Sequence, residues 1–409
     1  MDKLLRAHAD QIIRASIEAV LPDSAVQRAL EGKQFPGRVF LVAAGKAAWQ
    51  MAKAAYDKMG SRITGGVVVT KYDHVKGPIG SLVCCEGGHP VPDENSFAGT
   101  RQALALVENL TETDTVLFLL SGGGSALFED PLVPGPELQD ITRQLLACGA
   151  DIVEMNTIRK RLSRVKGGRF AQACAPAQVY AIVLSDIIGD PLDMIASGPA
   201  CPDSSTCAQA LAIAEKYGLK LSEKALALLA QETPKELDNV TTCVSGSVKE
   251  LCAAAAKAAQ ALDYEPVLLT AELSCQAKEA GAFLGAVART HAGSGKAFIA
   301  GGETVVKLTG KGLGGRNQEL ALAAAPLIDG LPGVALFSLG SDGTDGPTDA
   351  AGGYVDHSTQ TALQAAGLSV FDVLADNDAY HGLQKVDGLI ITGPTGTNVN
   401  DVAVVLCKA

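Results

Sequence analysis

Aromatic side chains are scarce in this sequence, 4% of 409 residues with Trp49 the single tryptophan, which argues against a stacking platform for bases or sugar rings. Basic residues are outnumbered 34 to 45, and a formal charge of −11 has the wrong sign for wrapping a polyanion, so no nucleic-acid partner is expected. The ten cysteines include no C-x-x-C pair and the six histidines no H-x-x-x-H pair, which points away from zinc and disulfide frameworks and toward a reducing, cytoplasmic setting. No apolar run approaches the roughly 18 residues that a membrane helix needs. The opening segment mixes charge with Leu4, Leu5, Ile12, Ile13, Ile17 and Val20, the pattern of an amphipathic helix and not of a signal peptide. Both standard nucleotide fingerprints are missing: there is no GxxxxGK[ST], and of GxGxxG only Gly122 and Gly124 are in place, with Leu127 at the third position.

Glycine, by contrast, is abundant. Its 44 residues are about 11% of the chain against a usual ~7%, and many follow apolar runs. With 47% hydrophobic and 19% charged residues the composition is globular, and 409 residues exceed one core, so two domains with a cleft between them are expected. Strand-like segments stop between about residues 202 and 235, which places the boundary there and gives domains 1–235 and 236–409.

The chain is organised around TVLFLLSGGGSALF, Thr115 to Phe128. An apolar strand ends at Ser121, three glycines follow, and a helix start comes behind them. Glycines allow positive φ and close approach of N–H groups, so Ser121, Gly122, Gly123, Gly124 and Ser125 form a candidate anion loop. The alternative is a tight turn at a sheet edge. The segment RVFLVAAGKAAWQ repeats the pattern, with Lys46 expected in a first helical turn. A cation there is misplaced by a few tenths of a kcal/mol unless an anion binds beside it. Alternating strands and helices imply parallel strands with covering helices, and all these loops should share the sheet's carboxyl edge.

Further along, NTIRKRLSRVKGGRF is the one dense basic segment. Arg161 and Arg164 read as a solvated helix face, and Lys166, beside two glycines, as a side chain reaching the cleft. SDIIGDP offers Asp186 and Asp190 after a buried strand, carboxylates that suit Mg²⁺ shared with phosphate, although aspartate also favours turns. In the second domain Glu303 ends a strand, a hairpin-like strand follows it, and Arg316 and Asn317 open a helix. A guanidinium at that position suits a carboxylate or phosphate. Asp342 is the acidic group nearest another strand end, and Asn377, Thr392, Thr395, Asn398 and Asp401 are further polar tips.

Taken together, AAGKAA, GHPVPDENS, SGGGSA, NTIRKRLSRVKGG, SDIIGDP with ASGPACPD, GGRNQELAL, SDGTDGPTDAAG and GPTGTNVND resemble the glycerate 2-kinase family, whose carboxyl-terminal part is the MOFRL domain, over essentially the whole chain. Members have often been labelled hydroxypyruvate reductase. The resemblance implies an α/β protein of two three-layer α/β/α domains, a Rossmann-like amino-terminal one and a smaller mixed-sheet carboxyl-terminal one. It further implies ATP-dependent phosphorylation of D-glycerate at its 2-hydroxyl, with Lys46 and Arg316 as the functional cations. Catalytic candidates are then Lys46, Arg316 and Asp190, with Asp186 and Asp190 on Mg²⁺. Binding candidates are Ser121 to Ser125, Lys166, Glu303, Asn317 and Asp342. The expected partners are D-glycerate and ATP, with no membrane, and a second copy of the chain is the candidate protein partner. The rival reading is an NAD(P)H-dependent hydroxypyruvate reductase.

Overall fold

The computed structural model describes residues 1–409, which divide into two compact units. One comprises Ala25–Ser185 and Asp190–Ser245; the other comprises Met1–Ser24, Asp186–Gly189 and Gly246–Ala409.

The first of these is built on β1 (Val39–Ala44), β2 (Ile63–Lys71), β3 (Val83–Gly87), β4 (Thr115–Leu120), β5 (Gln178–Leu184) and β6 (Val240–Gly246). The strands lie in the order β3-β2-β1-β4-β5-β6, and β1 to β5 run parallel. This is the doubly wound order, whose winding direction reverses between β1 and β4. Both of those strands are buried along their whole length, which is why each reads as an unbroken apolar run. Successive side chains alternate faces. Leu117 and Leu119 pack with Met51, Ala52 and Ala55 of helix Ala48–Met59, while Phe118 turns the other way and meets Phe170 at 4.8 Å and Phe128 at 5.6 Å between ring centres. The register pairs Ala44 with Leu120, so the turns beginning at Gly45 and Ser121 leave the sheet side by side at the point of reversal.

The other unit carries β7 (Glu265–Leu273), β8 (Lys296–Gly302), β9 (Val334–Gly340), β10 (Gly352–Asp356), β11 (Leu389–Ile390) and β12 (Asp401–Cys407), in the order β11-β10-β9-β12-β8-β7. Only β7 and β8 pair parallel; the remaining pairs are antiparallel, which makes the sheet mixed. One face is covered by helices Lys3–Val20 and Val248–Gln260, with Leu5, Ile12, Leu251, Phe337 and Val404 in a common cluster. Helices Ala277–Thr290 and Arg316–Ile328 cover the other, with Leu284, Leu320, Leu336 and Val405 between them and the sheet. The three-layer α/β/α organisation holds for both units.

Four sequence expectations need correction. The opening helix belongs to the carboxyl-terminal unit, because its stripe of Leu5, Ala9, Ile12, Ile13 and Val20 is buried against that unit's sheet and helix Val248–Gln260. The strand assigned to the start of the second domain is β6, which extends the first sheet beyond β5, so the crossing falls after Ser245 and not at 235. The four residues Asp186–Gly189 also group with the carboxyl-terminal unit. No hairpin strand follows Glu303; a single bridge joins Val305 to Gln276, and the N–H groups of Thr309 and Gly310 donate to Asn377 Oδ1 at 2.7 and 2.9 Å.

Candidate active site

In the amino-terminal unit the two turns at the β1/β4 reversal are stitched together. Lys46 N–H donates to the Gly122 carbonyl at 2.9 Å, and Ala47 N–H to Ser121 Oγ at 3.1 Å. Gly45 is required by this approach, since a Cβ there would sit 2.3 Å from Ser121 Oγ, and its φ of +122° is a glycine conformation. Helix Ala48–Met59 starts after this junction, so Lys46 lies in the turn before the helix and not in its first turn. Its side chain is exposed and forms no ion pair.

The Ser121–Ser125 loop presents a row of open donors. The N–H groups of Gly122, Gly123, Gly124 and Ser125 make no hydrogen bond within the protein. Gly122 and Gly123 are partly exposed, whereas Ser121 is buried and its hydroxyl is committed to Ala47. Gly123 adopts φ +84°, and a Cβ on it would lie 3.1 Å from both the His89 ring and Lys46 Cγ. Behind the loop, Ser125 Oγ meets Ser197 Oγ at 3.1 Å, Ser197 donates to Asn156 Oδ1 at 2.9 Å, and Arg159 donates to the Ser125 carbonyl at 3.0 Å. The loop is therefore held through Ser125, while the N–H groups from Gly122 to Ser125 have no acceptor within the protein.

Cations gather at this edge despite the acidic composition. Burial first, then Lys46, Lys71 and His74, push the His89 imidazole below its ordinary pKa. His74 is tied to the Lys46 carbonyl through Nδ1 at 2.9 Å, and Thr70 Oγ1 donates to the same oxygen at 3.2 Å.

Lys166 does not reach open space. It is fully buried, pairs with the equally buried Glu129 at 2.8 Å and donates to the Phe128 carbonyl at 3.0 Å. Burial lowers its pKa to about 8 even with Glu129 pulling the other way. Arg161 is likewise no solvated residue: it is 0% exposed, donating to Ser205 at 2.9 Å with Asp203 3.7 Å away. Arg164 is exposed, as expected, beside Asp130.

The carboxyl-terminal unit holds the second set. Arg316 opens its helix and donates from Nε and Nη2 to the two oxygens of Asp401 at 2.5 and 3.0 Å, and from Nη1 to Glu303 at 2.8 Å. The fork that would grip a ligand anion is thus already filled by Asp401, leaving two of the five guanidinium N–H groups. Burial opposes the Arg316 charge, but Asp401 and then Glu303 outweigh it and raise its pKa. Burial also raises Asp401, with its hydrogen bonds to Arg316 drawing it back. Asn400 completes the group, donating to Glu303 Oε2 and to the Asp186 carbonyl, both at 3.2 Å.

Asn317 is buried, bonded to Ser338 at 2.5 Å and to Asp345 at 3.4 Å, so its amide orders the helix start instead of facing outward. Asp345 accepts from Asn317 N–H and Gln318 N–H at 3.1 and 2.8 Å and caps that helix. Burial raises its pKa to about 6. Asp342 spends its carboxylate on a local turn, accepting from Thr344 N–H at 2.9 Å and Thr344 Oγ1 at 3.1 Å. Asp190, half-buried, has a left-handed backbone at φ +54°. Nowhere in the chain do three or more His, Cys, Asp or Glu side chains gather as a metal cluster.

Two contributors were underrated in the sequence. Asp401 stood out only as a polar strand end, and its partner 85 residues away cannot be read from spacing. His89 sits inside GHPVPDENS, where its place just after a strand was the available signal.

Residues 8–230 match the family described as a domain of unknown function, DUF4147, and residues 296–401 match the MOFRL family. A D-glycerate 2-kinase of Thermotoga maritima is 53% identical over 408 residues, covering 98% of each chain. A glycerate 2-kinase of Pyrococcus horikoshii is 40% identical, covering 97% of this chain and 96% of its own. The crystal structure of a Thermotoga maritima glycerate kinase superposes with a TM-score of 0.94 at 52% identity, over 99% of this chain and 100% of that one.

Proposed function

Because this chain belongs to the glycerate 2-kinase family, we propose that it phosphorylates D-glycerate at the 2-hydroxyl with ATP as donor, using Lys46 and Arg316 as its functional cations. The enzyme is a phosphotransferase with an alcohol acceptor. The observation that carries the site assignment is the row of four unbonded N–H groups from Gly122 to Ser125 beside the unpaired Lys46.

Phosphoryl transfer asks the protein mainly for alignment and charge stabilisation, with little covalent chemistry. The Ser121–Ser125 loop supplies fixed N–H dipoles to an oxyanion, and Lys46 adds a full charge that no carboxylate in the protein neutralises. Arg316 offers its two remaining N–H groups from a guanidinium held in place by Asp401 and Glu303. Asp186 and Asp190 are the carboxylates that would hold Mg²⁺, a hard cation content with one or two carboxylates plus phosphate oxygens and water, where it would supply charge neutralisation. Asp190 is the candidate acceptor for the hydroxyl proton. We place the enzyme in the cytoplasm, in keeping with ten free cysteines; no helix is long and apolar enough to cross a membrane.

The test is incubation of the purified protein with D-glycerate and MgATP, reading the product by phosphorus NMR. We expect 2-phosphoglycerate and stoichiometric ADP. Formation of 3-phosphoglycerate would overturn the regiochemistry, and NAD(P)H oxidation with hydroxypyruvate in the absence of ADP release would replace the kinase with a reductase.

A further inference from the structure

Beside the glycine loop stands a histidine that nothing in the protein engages. His89 lies two residues beyond β3, whose last residue pairs with Lys71 at the carboxyl edge of the sheet. Its ring is half-buried, yet neither ring nitrogen has a hydrogen-bond partner in the protein. The Nε2–Cδ2 edge faces Gly123, since a Cβ built there would be 3.1 Å from each of those atoms, and Lys46 Cγ lies at the same distance. His89 and Lys46 therefore both lie against Gly123, whose lack of a side chain leaves room for them.

The electrostatic surroundings are of one sign. The groups acting on the His89 ring are Lys46, Lys71 and His74, and no carboxylate is among them. The carboxylates nearby in sequence are occupied: Glu86 accepts from His74 N–H and Val75 N–H at 3.0 and 2.9 Å, and Asp93 accepts from Tyr72 at 2.6 Å and caps its helix. Burial and these neighbours favour the neutral ring, which keeps one N–H donor without an acceptor in the protein. A small oxyanion over Gly123 would be attracted to Lys46 and Lys71 and would give the ring N–H an acceptor.

We propose that His89 contacts the substrate anion at this loop, its Nε2–H donating to an oxygen of the phosphate or carboxylate seated over Gly123 beside Lys46. The proposal rests on the reading of the Ser121–Ser125 loop as an anion seat. The shared chemistry is a small oxyanion, either a nucleotide phosphate or the glycerate carboxylate, and the kinetics separate the two.

The experiment compares His89→Ala and His89→Gln in the full-length enzyme. Loss of a charge-assisted hydrogen bond should raise one KM by about 10- to 100-fold in His89→Ala, with the melting temperature unchanged. A raised KM for MgATP assigns the phosphate, and a raised KM for D-glycerate assigns the carboxylate. His89→Gln, which keeps an N–H donor, should recover most of the loss. Both KM values and kcat unchanged in His89→Ala would overturn the proposal. Should His89→Ala fail to fold, imidazole nitrogen NMR of the unaltered protein decides. ADP or D-glycerate should shift the His89 resonances, and no shift with either at saturation also overturns it. Lys46→Ala separates the two levels: if it abolishes turnover while His89→Ala is silent, only the histidine assignment falls, and if both are silent the loop is not the seat.

Discussion

Lys46 and Arg316 occupy similar places, each in or just after a glycine-rich turn leading into a helix, yet their surroundings are opposite. Lys46 is exposed, forms no ion pair and has cationic neighbours, whereas Arg316 is held by three hydrogen bonds to two carboxylates. An unpaired cation keeps its whole charge for a ligand but is poorly fixed, because a lysine stem is flexible. A guanidinium already bound to Asp401 and Glu303 is fixed but largely neutralised. The pair shows two ways of supplying positive charge, one favouring strength of field and the other precision of placement.

Removing Arg316 should have the largest effect, because it strikes both function and fold. Arg316→Ala should cut kcat by about 10²–10³-fold if its free N–H groups serve the transition state. It should also destabilise the protein by up to about 3 kcal/mol by leaving Asp401 buried and unpaired, with solvent around the partly exposed guanidinium limiting the loss. Denaturant melts and steady-state rates on one preparation check both. Lys46→Ala should lower kcat by a similar factor of about 10²–10³ while leaving the melting temperature in place. A matching loss of stability in Lys46→Ala would erase the contrast.

Titration should separate the two regions further. Asp345, at the start of the Arg316 helix, keeps its proton up to about pH 6 in the fold, whereas an unfolded aspartate loses it near ~3.9. Between those values the folded state binds more protons, so this group's contribution falls as pH rises from about 4 to about 6 and levels off above. The difference of roughly two units corresponds to about 3 kcal/mol. Unfolding free energies measured across that window should slope downward, and Asp345→Asn should flatten the slope. Gly123→Ala should cost about 1–2 kcal/mol of stability for a left-handed backbone, less than the loss of Arg316, and should impair turnover by crowding His89 and Lys46. Full activity in that variant would sharpen the case against the loop.

Much of this was legible in the chain. Alternating apolar strands and helices gave the layer order, and glycines after strands located the β1/β4 turns, because backbone constraints act locally. Counter-ions were not legible. Arg161 reads as part of a solvated face and Lys166 as reaching a cleft, but Arg161 finds Asp203 and Lys166 finds Glu129, each about 40 residues away. The destination of the first helix was hidden for a related reason: an amphipathic stripe announces that one face is covered without saying by what. The aspartates of SDGTDGPTDAAG show both outcomes, since Asp342 makes the local turn that composition suggests while Asp345 caps a helix 28 residues earlier.

Helix Lys3–Val20 carries a consequence for how the protein is made. It is synthesised before its cover, because its apolar stripe packs on residues from Val248 to Leu406. At roughly 5–20 residues per second, translation leaves that stripe without its final cover for tens of seconds. A carboxyl-terminal truncation that removes Val248 to Leu406 would leave that stripe permanently uncovered.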